Sequence, residues 1–344
     1  MLIVFDGNFM LHRSLMLPDV FNLEYAGKPT GGVYGVIRAL HDTLSAYGKI
    51  DRRIVVWDGQ KSERRLKLYP DYKGNRAPKT DQEKHDKEAY FKVWNIQKTL
   101  LNEILPTLGF LPITFAKKEA DDVIYQIVKL YHNKEDVLVV SEDSDMVQLI
   151  THFPSVKVYQ PIKKQVISKD NFKEVVGVPV ETFIYHKAMM GDKTDNIKGV
   201  NGVGEITSQK YLSQVDVKDV NNSLYSIASK ANEKFQESKG KKGIRDAKLF
   251  RGWGTLARNL ELVDLSREPF LDSELQVLSN VINSFVVKVY DECFRNYCVE
   301  LGFRSILDRF DVWIAPFKNL GILDTELLRD LQNEIDKEFD GFNA

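Results

Sequence analysis

Residues 1–8 read MLIVFDGN, an apolar run that ends in Asp6 and is typical of a buried β-strand. The same pattern returns at RRIVVWDG (52–59) and DVLVVSEDSDM (136–146), where aspartates again follow the apolar residues. The carboxyl ends of parallel strands meet at one edge of a sheet. Acids that are far apart in the sequence are therefore predicted to come together there.

Further acids occur in KKEADDV (117–123) and GDKTDN (191–196). Carboxylates packed together repel one another unless cations hold them ionised, and oxygen ligands suit Mg²⁺, for which Mn²⁺ can substitute. A supply this large favours two ions, which would activate a water and stabilise the leaving oxygen of a phosphodiester. The candidate ligands are Asp6, Asp58, Glu119, Asp121, Asp122, Asp143, Asp145, Asp192 and Asp195.

Within the second group, a regular helix places Glu119 and Asp122 on one face and Asp121 away from it. We expect Glu119 and Asp121 to reach the site from the first turn, with Asp122 more peripheral. Each acid also has a structural alternative, as a turn former, a helix cap or a favourable charge at a helix N-terminus. Turn chemistry accepts Asn, Ser and Gly equally well, so the alternatives explain the recurrence of Asp less well than a metal site does.

The strand-like runs lie near residues 2–5, 53–57, 110–115, 137–140 and 156–159, with helix-like segments between them at 32–47, 90–105 and 121–131. This alternation predicts an α/β core with a mostly parallel central sheet flanked by helices. After about residue 165 the chain reads as helical, with a soft domain boundary near 185 and a charged, loose stretch at 230–248.

Length and composition set broad limits. The 344 residues are 43% hydrophobic and 28% charged, which is ordinary for a globular protein. No apolar run approaches the roughly 20 residues of a membrane span, and the first residues read as a strand rather than a signal peptide, so we expect a cytoplasmic protein. Cys293 and Cys298 are read as free thiols. The net charge of −1 neither supports nor excludes a polyanionic partner.

A basic segment follows Asp58 directly, and Tyr69 and Tyr72 lie within it. Phosphates pair with Lys and Arg while bases stack on Tyr, so the segment favours a single-stranded nucleic acid as substrate. A solvated helix face or loop is the alternative. The cations are Lys61, Arg64, Arg65, Lys67, Lys73, Arg76 and Lys79.

The turn GVNGVG (199–204) joins two helical segments and contains Gly199, Gly202 and Gly204. Glycines allow backbone amides to approach phosphate closely, as does the N-terminus of the next helix. On its own this spacing is a weak signal, and it is not the dinucleotide fingerprint because no strand precedes it.

Taken in order, the motifs resemble the 5′-nuclease superfamily of flap endonucleases, polymerase 5′-exonuclease domains and phage ribonuclease H, across roughly residues 1–265. With no polymerase region, the chain is most similar to a free-standing phage-type enzyme. The motifs are FDGN, VVWDG, RRLKLYPDYKGNR (64–76), KKEADDV, SEDSDMVQL, GDKTDNIKGVNGVGEITSQKYL (191–212) and the weaker ARNLELVDLS (257–266).

The resemblance implies a PIN-like nuclease core over 1–185, with a basic helical arch at about 60–90 through which a 5′ strand passes. Lys73 and Arg76 would contact the scissile phosphate, and Tyr72 would stack a terminal base. The carboxylates would form two metal groups: Asp6, Asp58, Glu119 and Asp121 with Asp122 nearby, and then Asp143, Asp145, Asp192 and Asp195.

The resemblance also implies a helix-three-turn-helix within 186–265 that grips duplex backbone and holds K⁺ through hairpin carbonyls. Asn201 stands where a proline is common, and Glu205 where a neutral or basic residue is often found. Residues 266–344 carry no motif and are expected to form a helical extension. The acidic tail DTELLRDLQNEIDKEFDGFNA (324–344) is either a docking helix or a contact for a replication protein.

These observations predict a monomeric Mg²⁺-dependent 5′→3′ nuclease with flap endonuclease and RNase H-like activity. Its substrates would be DNA or RNA–DNA duplexes with 5′ single-stranded ends, and it would remove RNA primers or 5′ flaps during replication. Two competitors stay open. A sugar-phosphate or nucleotide phosphatase would not need the basic segment, and a non-catalytic DNA-binding protein would be hindered by uncompensated acids.

Overall fold

A computed structural model describes residues 1–48, 50–238 and 247–318. The strands are β1 Leu2–Asp6, β2 Glu24–Tyr25, β3 Lys28–Pro29, β4 Arg52–Trp57, β5 Leu111–Thr114, β6 Val137–Val140, β7 Lys157–Gln160, β8 Gln165–Ile167, β9 Gly191–Asp192 and β10 Ile197–Lys198. The predicted strands are confirmed within two residues at each end.

The central sheet has the strand order β5-β4-β1-β6-β7-β8. All neighbouring pairs are parallel except β7 and β8, which pair antiparallel at one edge. Two antiparallel pairs lie apart from this sheet, β2 with β3 and β9 with β10. The predicted mostly parallel sheet is confirmed.

The α-helices are α1 Gly7–Leu15, α2 Pro18–Phe21, α3 Gly31–Tyr47, α4 Glu63–Leu68, α5 Asp81–Ile104, α6 Ala120–Tyr131, α7 Gln148–His152, α8 Phe172–Val176, α9 Phe183–Met190, α10 Glu205–Leu212, α11 Val220–Glu237, α12 Ala247–Arg251, α13 Trp253–Val263, α14 Asp272–Ser284, α15 Asp291–Glu300, α16 Arg304–Leu307 and α17 Phe310–Ile314. Short 3₁₀ turns cover Gly74–Arg76, Leu105–Leu108, Ser144–Val147, Val180–Thr182, Leu265–Arg267 and Ala315–Lys318.

Helices cover both faces of the sheet, which explains why its strands read as unbroken apolar runs. Leu2 and Val4 point into a core with α6, α7, α9 and α13, whereas Ile3 and Phe5 point into a second core with α1, α3 and α5. The segment that contains α14 to α17 contributes to both cores. Residues 266–318 therefore pack directly on the sheet layers, as expected for the helical extension.

Three sequence-based boundaries differ from the structure. Helix α5 begins at Asp81, nine residues before the predicted start, because Thr80 caps it and its first turns are polar and exposed, with no apolar periodicity to reveal them. The stretch 230–248 is helical up to Glu237, with Phe235 buried. Residue 185 lies inside α9, so the boundary predicted there does not coincide with a linker.

Within the described residues, no helix is long and apolar enough to span a bilayer. Cys293 is exposed, Cys298 is buried, and both are free thiols, as predicted. The acidic segment 324–344 lies outside the described residues.

Candidate metal and nucleic-acid site

Carboxylates converge at the C-terminal edge of the three adjacent strands β4, β1 and β6. Asp6 ends β1, Asp58 directly follows β4, and Asp143 begins the 3₁₀ turn after β6. Asp121 joins them from the first turn of α6, whose Ala120 N–H donates to Asp58 Oδ1 at 2.7 Å. The fold therefore confirms the prediction that acids distant in the sequence come together at one edge of the sheet.

These acids line a cleft of about 370 Å³. Of the described residues that line it, seven are acidic and two are basic, which gives the cleft a strongly negative character that divalent cations can offset. The acidic residues are Asp6, Asp58, Asp121, Glu142, Asp143, Asp145 and Asp195, and the basic residues are Lys73 and Arg76.

The other three predicted ligands lie elsewhere. Asp192 lines an adjoining recess that shares Asp143 with the cleft. Glu119 is buried beside the cleft, where Tyr72, Lys73 and Arg65 donate to its carboxylate. Asp122 is fully buried and does not line the cleft. Both its carboxylate oxygens accept hydrogen bonds from Arg65, at 2.7 and 2.8 Å. Asp122 is therefore peripheral, as expected, whereas Glu119 shares its contact with Arg65 and does not line the cleft that it was expected to reach. Of Glu119, Asp121 and Asp122, only Asp121 lines the cleft, because a regular helix turns it away from the face that carries Glu119 and Asp122.

Burial and mutual repulsion raise the pKa values of two carboxyl groups in the cleft. Burial, opposed by a bond from Phe9 N–H and reinforced by Asp58 and Asp143, raises the pKa of Asp6 to about 7. Burial and the charges of the same neighbours raise the pKa of Asp121 well above its usual value. Charge among these acids is therefore unfavourable unless bound cations offset it.

A half-buried lysine contacts the second half of the cluster. Lys187 of α9 lies 2.5 Å from Asp145 Oδ1 and 2.9 Å from Asp192 Oδ2. Burial alone would raise the pKa of Asp192, but Lys187 and Thr194 outweigh burial and lower that pKa to about 2. Burial, opposed by Lys187, raises the pKa of Asp145 to about 7. Sequence reasoning missed Lys187, whose only signal is its position five residues before Asp192.

The donor set fits divalent cations. All acidic groups offer hard oxygen ligands, and Asn8 adds a buried Oδ1 that lines the cleft and has no hydrogen-bond partner among the described residues. In the described part of the chain no three such groups already form a compact cation cage. Several of the carboxylates form ion pairs with basic side chains, namely Lys73, Arg76 and Lys187.

Two cations face the acids from the basic segment. Lys73 donates to Glu119 Oε1 at 2.7 Å, and Arg76 Nη2 lies 2.7 Å from Asp195 Oδ1. Burial alone would lower the pKa of Lys73, but Glu119 and Asp195 outweigh it and raise that pKa, so the ammonium stays charged. Both predicted phosphate-contacting cations thus lie at the cleft.

The other three predicted strand contacts of this segment bind groups of the protein itself. Tyr72 is 3% exposed, and its hydroxyl donates to Glu119 and Asp195. Arg65 is buried against Glu119 and Asp122, and Arg64 binds Glu268 and the Glu261 carbonyl. The two arginines tie α4 to α6, to the end of α13 and to Glu268. The side chain of Tyr72 is not free to stack a base.

His12 is a cleft residue that sequence reasoning left without a role. Its ring stacks between Tyr90 and Trp94, with centroids 5.7 and 5.5 Å away, and its Nδ1 lies 2.5 Å from the Tyr90 hydroxyl. Burial lowers the pKa of His12. On the α1 side, Phe9 and His12 line the cleft, and Tyr90 and Trp94 of α5 pack against His12.

The predicted backbone-binding turn lies between α9 and α10. Gly199 and Gly202 stand at close approaches: a Cβ on Gly199 would collide with the Met189 and Met190 carbonyls, and one on Gly202 with the Lys248 side chain. Gly202 also has a φ of +74°. Gly204 caps α10, and a Cβ there would meet nothing. The assignment of a helix-three-turn-helix stays a prediction.

The profile of the family described as 5′-3′ exonuclease, N-terminal resolvase-like domain, matches residues 1–177. The chain belongs to this 5′-3′ exonuclease family. A 5′-3′ exonuclease of Bacillus subtilis is 28% identical over 293 residues, which span 83% of this chain and 93% of that protein. One of Buchnera aphidicola is 31% identical over 233 residues, with coverage of 66% and 75%.

The chain is also similar to solved structures of nucleases. The T5 5′-exonuclease with bound zinc has a TM-score of 0.63 and 27% identity, covering 83% of this chain and 98% of that one. The bacteriophage T5 D15 flap endonuclease, in a complex with DNA and metal ions, has a TM-score of 0.62 and 27% identity, covering 82% and 99%. The Rad2 catalytic core, at 14% identity and a TM-score of 0.52, shares the fold.

Proposed function

We propose that this chain is a structure-selective 5′→3′ nuclease that hydrolyses phosphodiesters with the help of two Mg²⁺ ions, Mn²⁺ being able to replace them. The observation that carries the proposal is the position of Lys73 and Arg76 on the same cleft as the clustered carboxylates. Family membership and the DNA-bound T5 D15 structure support the substrate class.

Bound cations would supply a water that ionises near neutral pH and would neutralise charge on the phosphate oxygens. We propose two ligand groups, with Glu119 reaching the first after Lys73 releases it, and Asp192 the second after Lys187 does. The groups are Asp6, Asp58, Glu119 and Asp121, and Asp143, Asp145, Asp192 and Asp195. Asp122 orients Arg65 and lies outside both groups.

The chain's own cations act on the phosphate. Lys73 and Arg76 stabilise the charge that develops on the scissile phosphate during in-line attack of water, which leaves a 5′-phosphate. The acids that hold these two side chains orient them before substrate binds. Phe9 and His12 would line the side of the cleft formed by α1.

The biological substrates we propose are 5′ flaps and RNA primers on duplex DNA, processed during replication in the cytoplasm. The turn at 199–204 would hold the duplex backbone, with K⁺ bound by its carbonyls. Partners among replication proteins would bind the C-terminal region, and the enzyme would act as a monomer.

The test is cleavage of a 5′-labelled flap duplex beside a matching RNA–DNA hybrid, with Mg²⁺ or with chelator. The double variant Asp143→Asn, Asp145→Asn is compared with Asp170→Asn. Asp170 is an exposed acid that does not line the cleft. We expect Mg²⁺-dependent short 5′ products from wild type and from Asp170→Asn, and loss of at least about 100-fold in rate for the double variant with binding retained. A wild type that binds the flap without cutting it would disprove the proposal.

A further inference from the structure

The motif ARNLELVDLS (257–266) places on α13 a buried amide to which the proposed function assigns no role. Asn259 is fully buried, and its Nδ2 donates to the Ala188 carbonyl at 2.8 Å and to the Lys198 carbonyl at 2.9 Å. Ala188 lies in the last turn of α9, and Lys198 ends β10. One side chain therefore joins the end of α9 to the end of the antiparallel pair β9 and β10.

That antiparallel pair carries two of the clustered acids. Residues 191–198, here named the acid hairpin, contain Asp192 and Asp195, and two residue pairs join the arms. A hairpin this short is marginal by itself, so its position depends on contacts with the rest of the protein. Asn259 holds its second arm at Lys198, three residues after Asp195.

The end of α9 explains why a donor is needed at this place. The last four carbonyls of an α-helix have no partner within the helix. The backbone N–H groups of Gly191 and Val200 bind two of them. Asn259 supplies the donor for the carbonyl of Ala188, which lies between those two. The same amide thus completes the end of α9 and fastens the acid hairpin to it.

Arg258 fixes the orientation of this amide. Its Nη2 and Nε lie 2.8 and 3.2 Å from Asn259 Oδ1, so Oδ1 accepts from the guanidinium and Nδ2 faces the two carbonyls. The guanidinium also lies 4.6 Å from the centroid of the Tyr69 ring, at the C-terminal end of α4. Arg258 and Asn259 therefore connect the acid hairpin with the basic segment, whose Lys73 N–H donates to the Asp195 carbonyl.

We infer that Asn259 is a positioning residue for the second group of proposed metal ligands. It holds the acid hairpin against α9 and so keeps Asp192 and Asp195 in place for an ion. This inference rests on the proposed function and gives the amide a role in ion binding rather than in contact with the substrate. Groups that orient metal ligands without touching the ion change metal affinity about 10- to 100-fold when they are removed.

The test measures Mg²⁺ binding to chelator-treated protein by calorimetry for wild type, Asn259→Leu and Arg258→Met. Arg258 is half-buried, so its variant should fold even where Asn259→Leu does not. The matched control is Gln97→Met, which removes another fully buried amide. Gln97 accepts from Val33 N–H in the core on the other face of the sheet. Amide hydrogen exchange over residues 191–200 is followed in chelator for the same proteins.

We expect Asn259→Leu to weaken binding of the second group's ion about tenfold or more, and Arg258→Met to weaken it less. Exchange over residues 191–200 should be faster in both variants than in wild type. Gln97→Met should lose stability but keep the Mg²⁺ affinity and the exchange rate of wild type. In cleavage of the labelled flap, both α13 variants should need more Mg²⁺ for half-maximal rate, and excess Mg²⁺ should restore most of kcat.

A double-mutant comparison identifies the ligands through which the amide acts. The variant Asp192→Asn, Asp195→Asn should lose the same ion. Adding Asn259→Leu to it should have no further effect on Mg²⁺ affinity, because the acids that the amide positions are already removed. A further loss as large as the one in wild type would overturn the inference.

Wild-type Mg²⁺ affinity in both α13 variants would also overturn it, whether or not exchange is faster, while cleavage by wild type would still uphold the nuclease proposal. If Asn259→Leu does not fold, Arg258→Met alone decides. An equal loss of Mg²⁺ affinity in Gln97→Met would show a general effect of lower stability and would overturn the inference too. A wild type that neither binds Mg²⁺ nor cuts the flap would refute the proposed function and this inference together.

Discussion

Lys73 Nζ lies 2.7 Å from Glu119 Oε1, and both residues are more than nine-tenths buried at the edge of the cleft. The Lys73 backbone N–H also donates to the Asp195 carbonyl at 2.8 Å, and its φ is +54°, a left-handed conformation uncommon outside glycine. Backbone and side chain together hold this ammonium between two acids. A phosphate that enters the cleft would therefore meet an ammonium that already lies at its edge.

Lys73→Ala should remove charge stabilisation at the scissile phosphate. We expect kcat to fall at least about 100-fold, the size typical of losing one preorganised electrostatic contact. Single-turnover cleavage of the labelled flap measures it. Lys67→Ala, an exposed lysine of α4, is the matched control and should cut at the wild-type rate. Equal rates for the two variants would remove Lys73 from the mechanism.

Arg65→Met should act on stability, because it leaves the buried Asp122 carboxylate without its bidentate partner. We expect the free energy of unfolding to fall by about 3–5 kcal/mol in denaturant titrations. Adding Asp122→Leu should restore much of it, since no buried charge then lacks a partner. A single variant as stable as wild type but with weakened flap binding would instead make Arg65 a substrate contact.

Divalent cations should stabilise the protein, because they relieve repulsion among the clustered carboxylates. At a Mg²⁺ concentration about 100 times the Kd, the gain is about 2.7 kcal/mol, visible as a rise in Tm over chelator. Asp143→Asn, Asp145→Asn should raise the Tm in chelator and shrink the Mg²⁺ response. A metal response unchanged in this variant would place the ions elsewhere.

Asp264 should contribute an acid-sensitive part of the stability. Burial alone would raise the pKa of Asp264, but His152, whose Nε2 lies 3.3 Å away, and the hydrogen bond from Ser266 N–H lower it to about 2. Because the folded pKa lies below the unfolded one, the contribution is complete above about pH 4 and is lost as the pH falls towards 2. It amounts to about 2 kcal/mol. In denaturant titrations, Asp264→Asn should make the free energy of unfolding depend less on pH over that range, whereas Asp170→Asn should leave the pH dependence unchanged.

Much of the fold could be predicted because its signals are local. The apolar runs of β1, β4 and β6 and the turn after each are encoded within a few residues, and parallel order then brings Asp6, Asp58 and Asp143 together. The polar start of α5 could not be read, because capping and the packing of its later turns, rather than apolar periodicity, stabilise it.

The basic segment 61–79 shows the limit of charge patterns. Sequence presents Arg64, Arg65, Lys73 and Arg76 as equivalent cations, but the fold buries Arg65 against Asp122 and leaves Lys73 and Arg76 on the cleft. Whether one of these cations is buried or lines the cleft depends on partners about 50 to 120 residues away in the chain.

By itself the sequence determined the α/β layers, the family, and the acids at the ends of β1, β4 and β6. Strand periodicity and ordered motifs are properties of the chain alone. Only the tertiary structure decided that Lys187 bridges Asp145 and Asp192, that Tyr72 is buried by Glu119, and that Asn259 joins α9 to the acid hairpin. Those relationships depend on how helices pack against the sheet and each other, and packing joins residues whose separation in sequence carries no signal.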